Sequence, residues 1–398
     1  MKQERKLSEI CNIFSGSRPK GGAISSGVLS IGAEHISSDG YFDLSNPKYI
    51  PEKYFKNLKR GILKSGDILL VKDGATTGKV GFFGNEAPFT EGAVNEHVFV
   101  LRVNDSKVII PQFIYYFLKS KTGNNAILKR KVGSAQGGIN LSIGDIKIVL
   151  PTLSEQQDIV SLLEEIDDLR QKQRKAIELT RQMIPALFYE MFGDPITNSM
   201  RWDVVRLGDH SSKVGSGATP KGGDSSYKAE GIALIRSLNV RDGEFRWKDL
   251  ARIDDTQAST LSNVIVEEND VLLNITGASV ARVCCAPKEV LPARVNQHVC
   301  IIRTTSKVQP RFLESLLLSS SMKNRLLRIG ESGATRQAIT KAQVLALEIP
   351  LPPVELQKIF IQKAQECLSL LEHQEQSLQK LDALFETTLN QFFYQDNL

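Results

Sequence analysis

From Ser154 to Phe192 the chain runs without a glycine, and apolar residues recur at three- and four-residue steps between charged ones. They are Ile159, Leu162, Leu163, Ile166, Leu169, Ile177, Met183, Ile184, Leu187 and Met191. This period predicts a single long amphipathic helix, which at ~1.5 Å per residue reaches about 58 Å. A second glycine-free stretch, Glu355 to Tyr394, places Phe360, Ala364, Cys367, Leu371, Gln374, Leu378, Leu381, Phe385, Thr388 and Phe392 in alternating steps of four and three, a heptad seam. A shift of 201 residues lays Ile159 on Phe360, Ile166 on Cys367, Gln173 on Gln374, Ile177 on Leu378, Ile184 on Phe385 and Met191 on Phe392. These twelve residues are the predicted seam, with one polar residue at the same position in each copy, where it fixes register at some loss of stability. The two helices are expected to pack as an antiparallel coiled coil; the alternative is two independent helices, each lying on its own domain. Pro185 predicts a kink or local break in the first helix, and Glu386 at the matching position predicts none in the second.

The same offset runs through the rest of the chain. GDILLVKDGATTGKVG (66–81) is echoed by NDVLLNITGASVARVC (269–284), VNEHVFVLRV (94–103) by VNQHVCIIRT (295–304), PQFIYYFL (111–118) by PRFLESLL (310–317), and GSAQGGIN (133–140) by GATRQAIT (333–340). Short β-branched runs such as Ile68–Val71 and Val98–Val103 predict strands. Pro111 and Pro310 each open an apolar segment that suits a helix with proline in its first turn. The expected fold class is therefore α/β, a tandem duplication of two mixed α/β domains separated by two long helices with a pseudo-twofold relation between halves. The boundaries are 1–150, a first domain; 151–195, the first long helix; 196–350, a second domain; and 351–398, the second long helix.

Composition sharpens this picture in one respect. The net charge of +5 is unevenly spread: the blocks 1–150 and 201–350 carry about +8 and +5, and the helical segments 151–200 and 351–398 about −4 each. Basic blocks on acidic helices suggest a polyanion for the former and a different partner for the latter. No apolar run approaches the ~18–20 residues of a membrane span, and MKQERKLSEI lacks the apolar core of a signal peptide; a cytoplasmic location is expected. Cys11, Cys284, Cys285, Cys300 and Cys367 form no CxxC and no zinc-type spacing, so they read as buried reduced thiols.

Candidate chemistry is sparse. Gly74-Ala75-Thr76-Thr77-Gly78-Lys79 has three residues between its glycines where a phosphate loop needs four, and Val80 where the metal-binding hydroxyl belongs. Ser45-Asn46-Pro47-Lys48-Tyr49 has the outline of an amino-methyltransferase tetrapeptide with Lys48 in place of a proline. His97 and His298, each two residues after an asparagine, have no ligand-spaced neighbours and read as strand-edge hydrogen bonders. No catalytic residue, metal site or cofactor is predicted. What remains are basic, amide and hydroxyl side chains on loops: Arg18, Lys20, Lys72, Thr76, Thr77, Lys79, Gln136 and Asn140 in the first block, and Lys221, Arg236, Asn239, Arg241, Arg282, Arg336 and Gln337 in the second. Arginine suits the guanine edge, Asn and Gln the adenine edge, and lysine the phosphate. Their recurrence on matching loops suits a nucleic-acid partner, which the resemblance below narrows to double-stranded DNA.

The duplication resembles the specificity subunits of type I restriction-modification systems over the whole chain. The most specific segments are LPTLSEQQDIV (150–160) and IPLPPVELQKIF (349–360), each leading into a long helix that ends LFYEMFGDP (187–195) or LNQFFYQ (389–395). The resemblance implies that each block is a target recognition domain reading one half of a bipartite DNA site. It also implies that the helices pair as an antiparallel coil that docks two methyltransferase subunits, with restriction subunits where the system has them, and that catalysis belongs to those partners. A coil of this length would set the domains roughly 40–60 Å apart, about 12–18 base pairs. Two departures stand out: Lys20 to Ser30 holds no aromatic where the second copy has Tyr227, and Leu356 replaces the glutamate found at Glu155. Two other classes stay open, a stand-alone DNA-modifying enzyme and a scaffold whose basic blocks bind proteins.

Overall fold

The computed structural model describes residues 3–133, 137–220, 222–331 and 337–394, apart from the side chain of Asp224. The chain divides into two compact units, Met1–Arg174 with Gln376–Leu398, and Lys175–Glu375. Each unit thus takes one half of each long helix, where the expected boundaries had set the helices apart from the domains.

In the first unit a four-stranded antiparallel sheet has the order Cys11–Ser15, Val98–Val103, Asp67–Val71, Val80–Phe83. Its central strand is buried throughout, and the period-2 rule divides it between two cores. Ile68 and Leu70, with Phe99 and Leu101, face the helix Pro111–Lys119; Leu69 and Val71, with Val98 and Val100, face a small three-stranded sheet of Tyr49–Ile50, Val28–Ile31 and Gly92–Val94. Each such aliphatic side chain contributes about 1.5–3 kcal/mol by leaving water.

The second unit repeats the plan. Its larger sheet has the order Ser211–Ser216, Val299–Thr304, Val271–Asn274, Val283–Cys285, and its smaller one Ala251–Ile253, Ile232–Ile235, Ala293–Val295. Val271, Leu273 and Ile302 face one core, Leu272, Val299 and Ile301 the other. The prolines stand where expected, in the first turn of Pro111–Lys119 and of Pro310–Leu318. All five cysteines are free and buried. Burial pushes the Cys11 thiol up to about 12 and the Cys300 thiol up to about 11, which keeps them inert.

The long helices are Leu153–Phe192 and Val354–Phe392, and within each unit their segments lie side by side and antiparallel. In the second unit Arg181 bonds Glu375 at 2.6 Å, and Phe192 lies 5.4 Å from Phe360, ring centre to ring centre. In the first unit Asp382 takes bonds from Arg170 at 2.7 Å and Arg174 at 3.1 Å. On the second helix the predicted seam is the covered stripe, with Phe360, Cys367 and Phe385 buried and Gln374, Leu378 and Phe392 half-buried. The first helix corrects the expectation. Ile166 and Ile177 are buried and Ile159, Gln173, Ile184 and Met191 half-buried, but Val160, Leu163, Phe188 and Phe192 carry more of the burial, and Leu162, Leu169 and Met183 are exposed. This helix packs on its domain as well as on its partner, so its apolar face is broader than an a/d stripe. The helix also runs unbroken through Pro185; one missing N–H on an exposed face is tolerated in so long a ladder.

A pair of residues that the periodicity does not single out seats each helix on its domain. The Gln156 amide accepts from Ile110 N at 2.9 Å and donates to the carbonyls of Val108 and Pro151, both at 3.1 Å. Gln357, at the offset of 201, accepts from Gln309 N at 2.8 Å and donates to Lys307 O at 3.1 Å and Pro352 O at 2.8 Å. Both side chains are buried. Among the described residues no helix is long and apolar enough to cross a membrane, and no group of three or more His, Cys, Asp or Glu could hold a metal ion.

Candidate nucleic-acid interface

At one end of each four-stranded sheet, loops from four places in the sequence converge. In the first unit Gly16 N bonds Val98 O at 3.3 Å, Lys72 N bonds His97 O at 3.0 Å, Ile139 N bonds Lys72 O at 2.6 Å, and Asn95 N bonds Ile31 O at 2.9 Å. The second unit repeats three of these bonds, Ile275 N to His298 O at 3.0 Å, Ile339 N to Ile275 O at 2.8 Å and Asn296 N to Ile235 O at 3.1 Å, while its first loop turns earlier, Gly217 N bonding Asn296 O at 3.1 Å. The first loop must be glycine at its start. A Cβ on Gly16 would meet Val94 O at 1.9 Å, and one on Gly217 would meet Val295 O at 1.8 Å, distances no side chain can adopt. The histidine turn is fixed equally closely, with Asn95 Oδ1 accepting from His97 N at 2.9 Å and Asn296 Oδ1 from His298 N at 3.0 Å.

On this common backbone the side chains differ. In the first unit Arg18 Nε donates to Glu96 Oε1 at 2.7 Å, and His97 stands between two carboxylates, 2.6 Å from Asp73 through Nδ1 and 3.5 Å from Glu96 through Nε2. In the second, the positions shifted by 201 to 203 carry a neutral chain. Thr219 bonds the Gln297 carbonyl, Gln297 Nε2 lies 3.0 Å from His298 Nε2, and His298 Nδ1 bonds the Thr276 hydroxyl. Arg18 and Gln297 are exposed, and the other members are half-buried.

The residues named from sequence fall into three groups. Arg18 and Lys72 belong to the loop cluster, with Lys72 Nζ 3.2 Å from Ser15 Oγ and 5.2 Å above the Phe99 ring, and Lys20 is exposed two residues beyond Arg18 on the same loop. Gln337 belongs to it too, its carbonyl accepting from Gly277 N at 3.0 Å. A second group is engaged in holding loops. Asn140 caps a short turn through Ser142 N at 2.8 Å. Asn239 is fully buried, accepting from Arg236 N at 3.0 Å and donating to Arg246 O at 3.0 Å. That corrects the base-reading expectation for Asn239, which takes the place His35 holds in the first unit, where His35 Nδ1 accepts from Gly32 N at 2.9 Å. Thr77 Oγ1 closes its own turn on Gly74 O at 2.7 Å, and this loop, Thr76 included, leads into a strand and not a helix, so the phosphate-loop outline has no structural counterpart. Lys79 points away from the cluster, to Ile36 O at 3.3 Å. The third group lies elsewhere on the second unit: Arg236 reaches Asp249 O at 2.7 Å and stacks 5.1 Å over the Tyr227 ring, while Arg241 and Arg282 are half-buried. Gln136, Lys221 and Arg336 lie outside the described residues.

Sequence reasoning passed over Asp73, Glu96, Thr219, Thr276 and Gln297, and read both histidines as merely structural. The signal was present in the pair VNEHV and VNQHV, where one acidic-to-amide change sits inside an otherwise repeated turn.

A family model described as the type I restriction modification DNA specificity domain matches residues 2–179 and again 200–390. The type I restriction enzyme MjaVIII specificity subunit of Methanocaldococcus jannaschii is 22% identical over 375 residues, covering 88% of this chain and 85% of its own. Among solved structures, one titled for complex assembly and conformational transition of the type I R-M system aligns at a TM-score of 0.62 with 20% identity, covering 100% of this chain and 98% of that one. The crystal structure of the type I restriction-modification system S subunit from M. genitalium aligns at 0.55 with 14% identity, covering 99% and 96%. These two structures share the fold described above.

Proposed function

We propose, from the premise that this chain belongs to the type I restriction-modification DNA specificity family, that it is the sequence-reading subunit of such a complex and reads a bipartite DNA target. The observation that carries the reading is the loop cluster, built twice on one backbone plan and carrying different side chains each time. One plan presented twice suits two short recognition elements, and unlike side chains suit unlike half-sites. The chain itself has no catalytic role in this reading; methylation belongs to methyltransferase subunits docked on the paired long helices, and cleavage to restriction subunits where they are present. Because each unit draws on both helices, the coil sets the number of unread bases between half-sites.

The test is to assemble the chain with its methyltransferase partner and map the methylated sites. Two short, unlike half-sites with a fixed gap support the reading, as does binding that weakens steeply with salt. Removal of one heptad from each long helix changes the gap and leaves the half-sites alone. A contiguous target, or altered bases after the heptad deletion, overturns it.

A further inference from the structure

We infer that four matched positions, 73, 18, 96 and 97 in the first unit and 276, 219, 297 and 298 in the second, set base preference: Arg18 reads a guanine in one half-site and Gln297 an adenine in the other. This deepens the reading above and rests on it. The argument is an inventory of hydrogen-bonding capacity. A guanidinium has five N–H donors and no acceptor. Glu96 takes the Nε–H of Arg18 at 2.7 Å, which fixes the plane of the fork and leaves the terminal nitrogens as donors only. The major-groove base edge that offers two adjacent acceptors is guanine, with O6 and N7.

Gln297 is left with a different remainder. Its amide has two N–H donors and two acceptor lone pairs. Thr219 uses one lone pair of the carbonyl, and His298 Nε2, at 3.0 Å, uses one N–H. An amide nitrogen can only donate, so His298 Nε2 is the acceptor in that contact, and Nδ1 is left to donate to the Thr276 hydroxyl. One donor and one acceptor remain side by side on Gln297, the complement of adenine N7 and N6. The first unit cannot imitate this, since Glu96 has no donor to offer. The second cannot imitate Arg18, since Thr219 has no fork. Asp73 and Thr276 act through the histidines and are positioning residues.

The assembled methyltransferase complex tests this, with affinity and methylation measured on targets changed one base pair at a time. Arg18→Ala should lose about 10–100-fold of discrimination at a single G·C pair of one half-site, and Arg18→Met, which keeps an unbranched stem but has no donor, should lose the same discrimination. Gln297→Ala should relax a single A·T pair of the other half-site. Thr276→Val, by freeing the histidine ring, should blur that same pair and leave the first half-site untouched. Uniform weakening at every position in Arg18→Ala and Gln297→Ala would overturn the assignment and make the residues phosphate or loop contacts. An unchanged bipartite target in those variants would overturn it while leaving the proposed function standing. If Arg18→Ala fails to fold, Arg18→Met alone decides, because guanine discrimination retained without any donor at this position excludes a reading by Arg18.

Discussion

The two units seat the long helices on their domains in different ways. In the second the seat is apolar and aromatic: Phe188, Phe192, Phe312 and Phe360 pack with ring centres 4.9–5.9 Å apart. The first keeps part of this, with Phe113 and Phe117 on Phe393 at 5.2 and 5.8 Å, but inlays a charged network. Arg170, buried, bonds Asp167 and Asp382 at 2.7 Å each and lies 4.3 Å over the Phe385 ring. Asp167 also accepts from the Tyr41 hydroxyl at 2.7 Å. The positions shifted by 201 from Asp167 and Arg170 are Leu368 and Leu371. A buried ion cluster is therefore no requirement of this architecture. What both units retain is the glutamine that satisfies backbone groups, Gln156 and Gln357. The duplication preserves the contacts that leave buried polar groups no alternative and lets the rest diverge.

This contrast breaks most readily at its charged side. Asp167→Ala strips the Tyr41 hydroxyl of its acceptor and leaves buried Arg170 half-compensated, which should destabilise the first unit by about 3–5 kcal/mol. Hydrogen exchange read by mass spectrometry should show the loss in residues 1–174 and 376–394 and spare 175–375. The double change Asp167→Leu with Arg170→Leu, which imports the second unit's residues, should recover most of that loss. A double variant as unstable as the single one would mean that the network specifies the seat and does not merely tolerate burial.

The conserved glutamines sharpen the comparison from the other direction. Gln156→Leu and Gln357→Leu each strand one backbone N–H and two carbonyls, so each should cost about 2–3 kcal/mol, equally in both units. Urea denaturation of the two variants checks this. Markedly unequal losses would show that the aromatic and charged seats share the load differently.

Lys119 adds a pH dependence that the second unit lacks, since its counterpart is Leu318. Its amine donates to Asp39 O at 2.5 Å, and burial pushes it down from 10.5 to about 8. Between those two values the unfolded chain holds the proton and the folded chain does not, so stability from this group rises with pH across that window. Relative to Lys119→Met, the parent should gain on the order of 1–2 kcal/mol from pH 8 to pH 10. A flat difference would mean that the amine stays charged in place.

Much of this was legible beforehand, and the reason is periodicity. Repetition at a fixed offset and heptad spacing pointed to the two-domain repeat, the long helices and the covered stripe of the second one, because burial obeys the geometry of helix and strand. The first helix was misjudged at Leu162, Leu169 and Met183 because the face a helix turns to its own domain depends on tertiary packing, which periodicity does not encode. The charged inlay at Arg170 was hidden for a similar reason: its partners Tyr41, Asp167 and Asp382 come from three distant segments. At the candidate site, side-chain type led to Arg18 and Lys72, which lie in the loop cluster, but type alone does not separate a side chain open to a ligand from one that caps a turn. Asn140 and Asn239 have the right chemistry for adenine and are committed to backbone groups.

The weakest expected effect tests the pairing at the middle of the coil. Arg181 and Glu375 are both about half-exposed, and their bond of 2.6 Å lies in high-dielectric surroundings where such a pair contributes roughly 0–1 kcal/mol. Arg181→Ala should therefore cost under about 1 kcal/mol at low salt, and less still at 0.5 M salt, where the Debye length falls to about 4–5 Å. Arg174, whose partners are Asp382 and Asp39 at 3.1 Å each, offers the matching test in the first unit, because the offset of 201 relates Arg174 to Glu375 and Arg181 to Asp382. The first helix thus carries the cation and the second the anion in both pairs. Arg174→Ala should cost more than Arg181→Ala, since its guanidinium is less exposed and joins two carboxylates, and the excess should persist in salt. Equal, salt-sensitive losses at the two sites would confine the first unit's network to Arg170 with Asp167, Asp382 and Tyr41 and leave the outer arginine as a solvated charge.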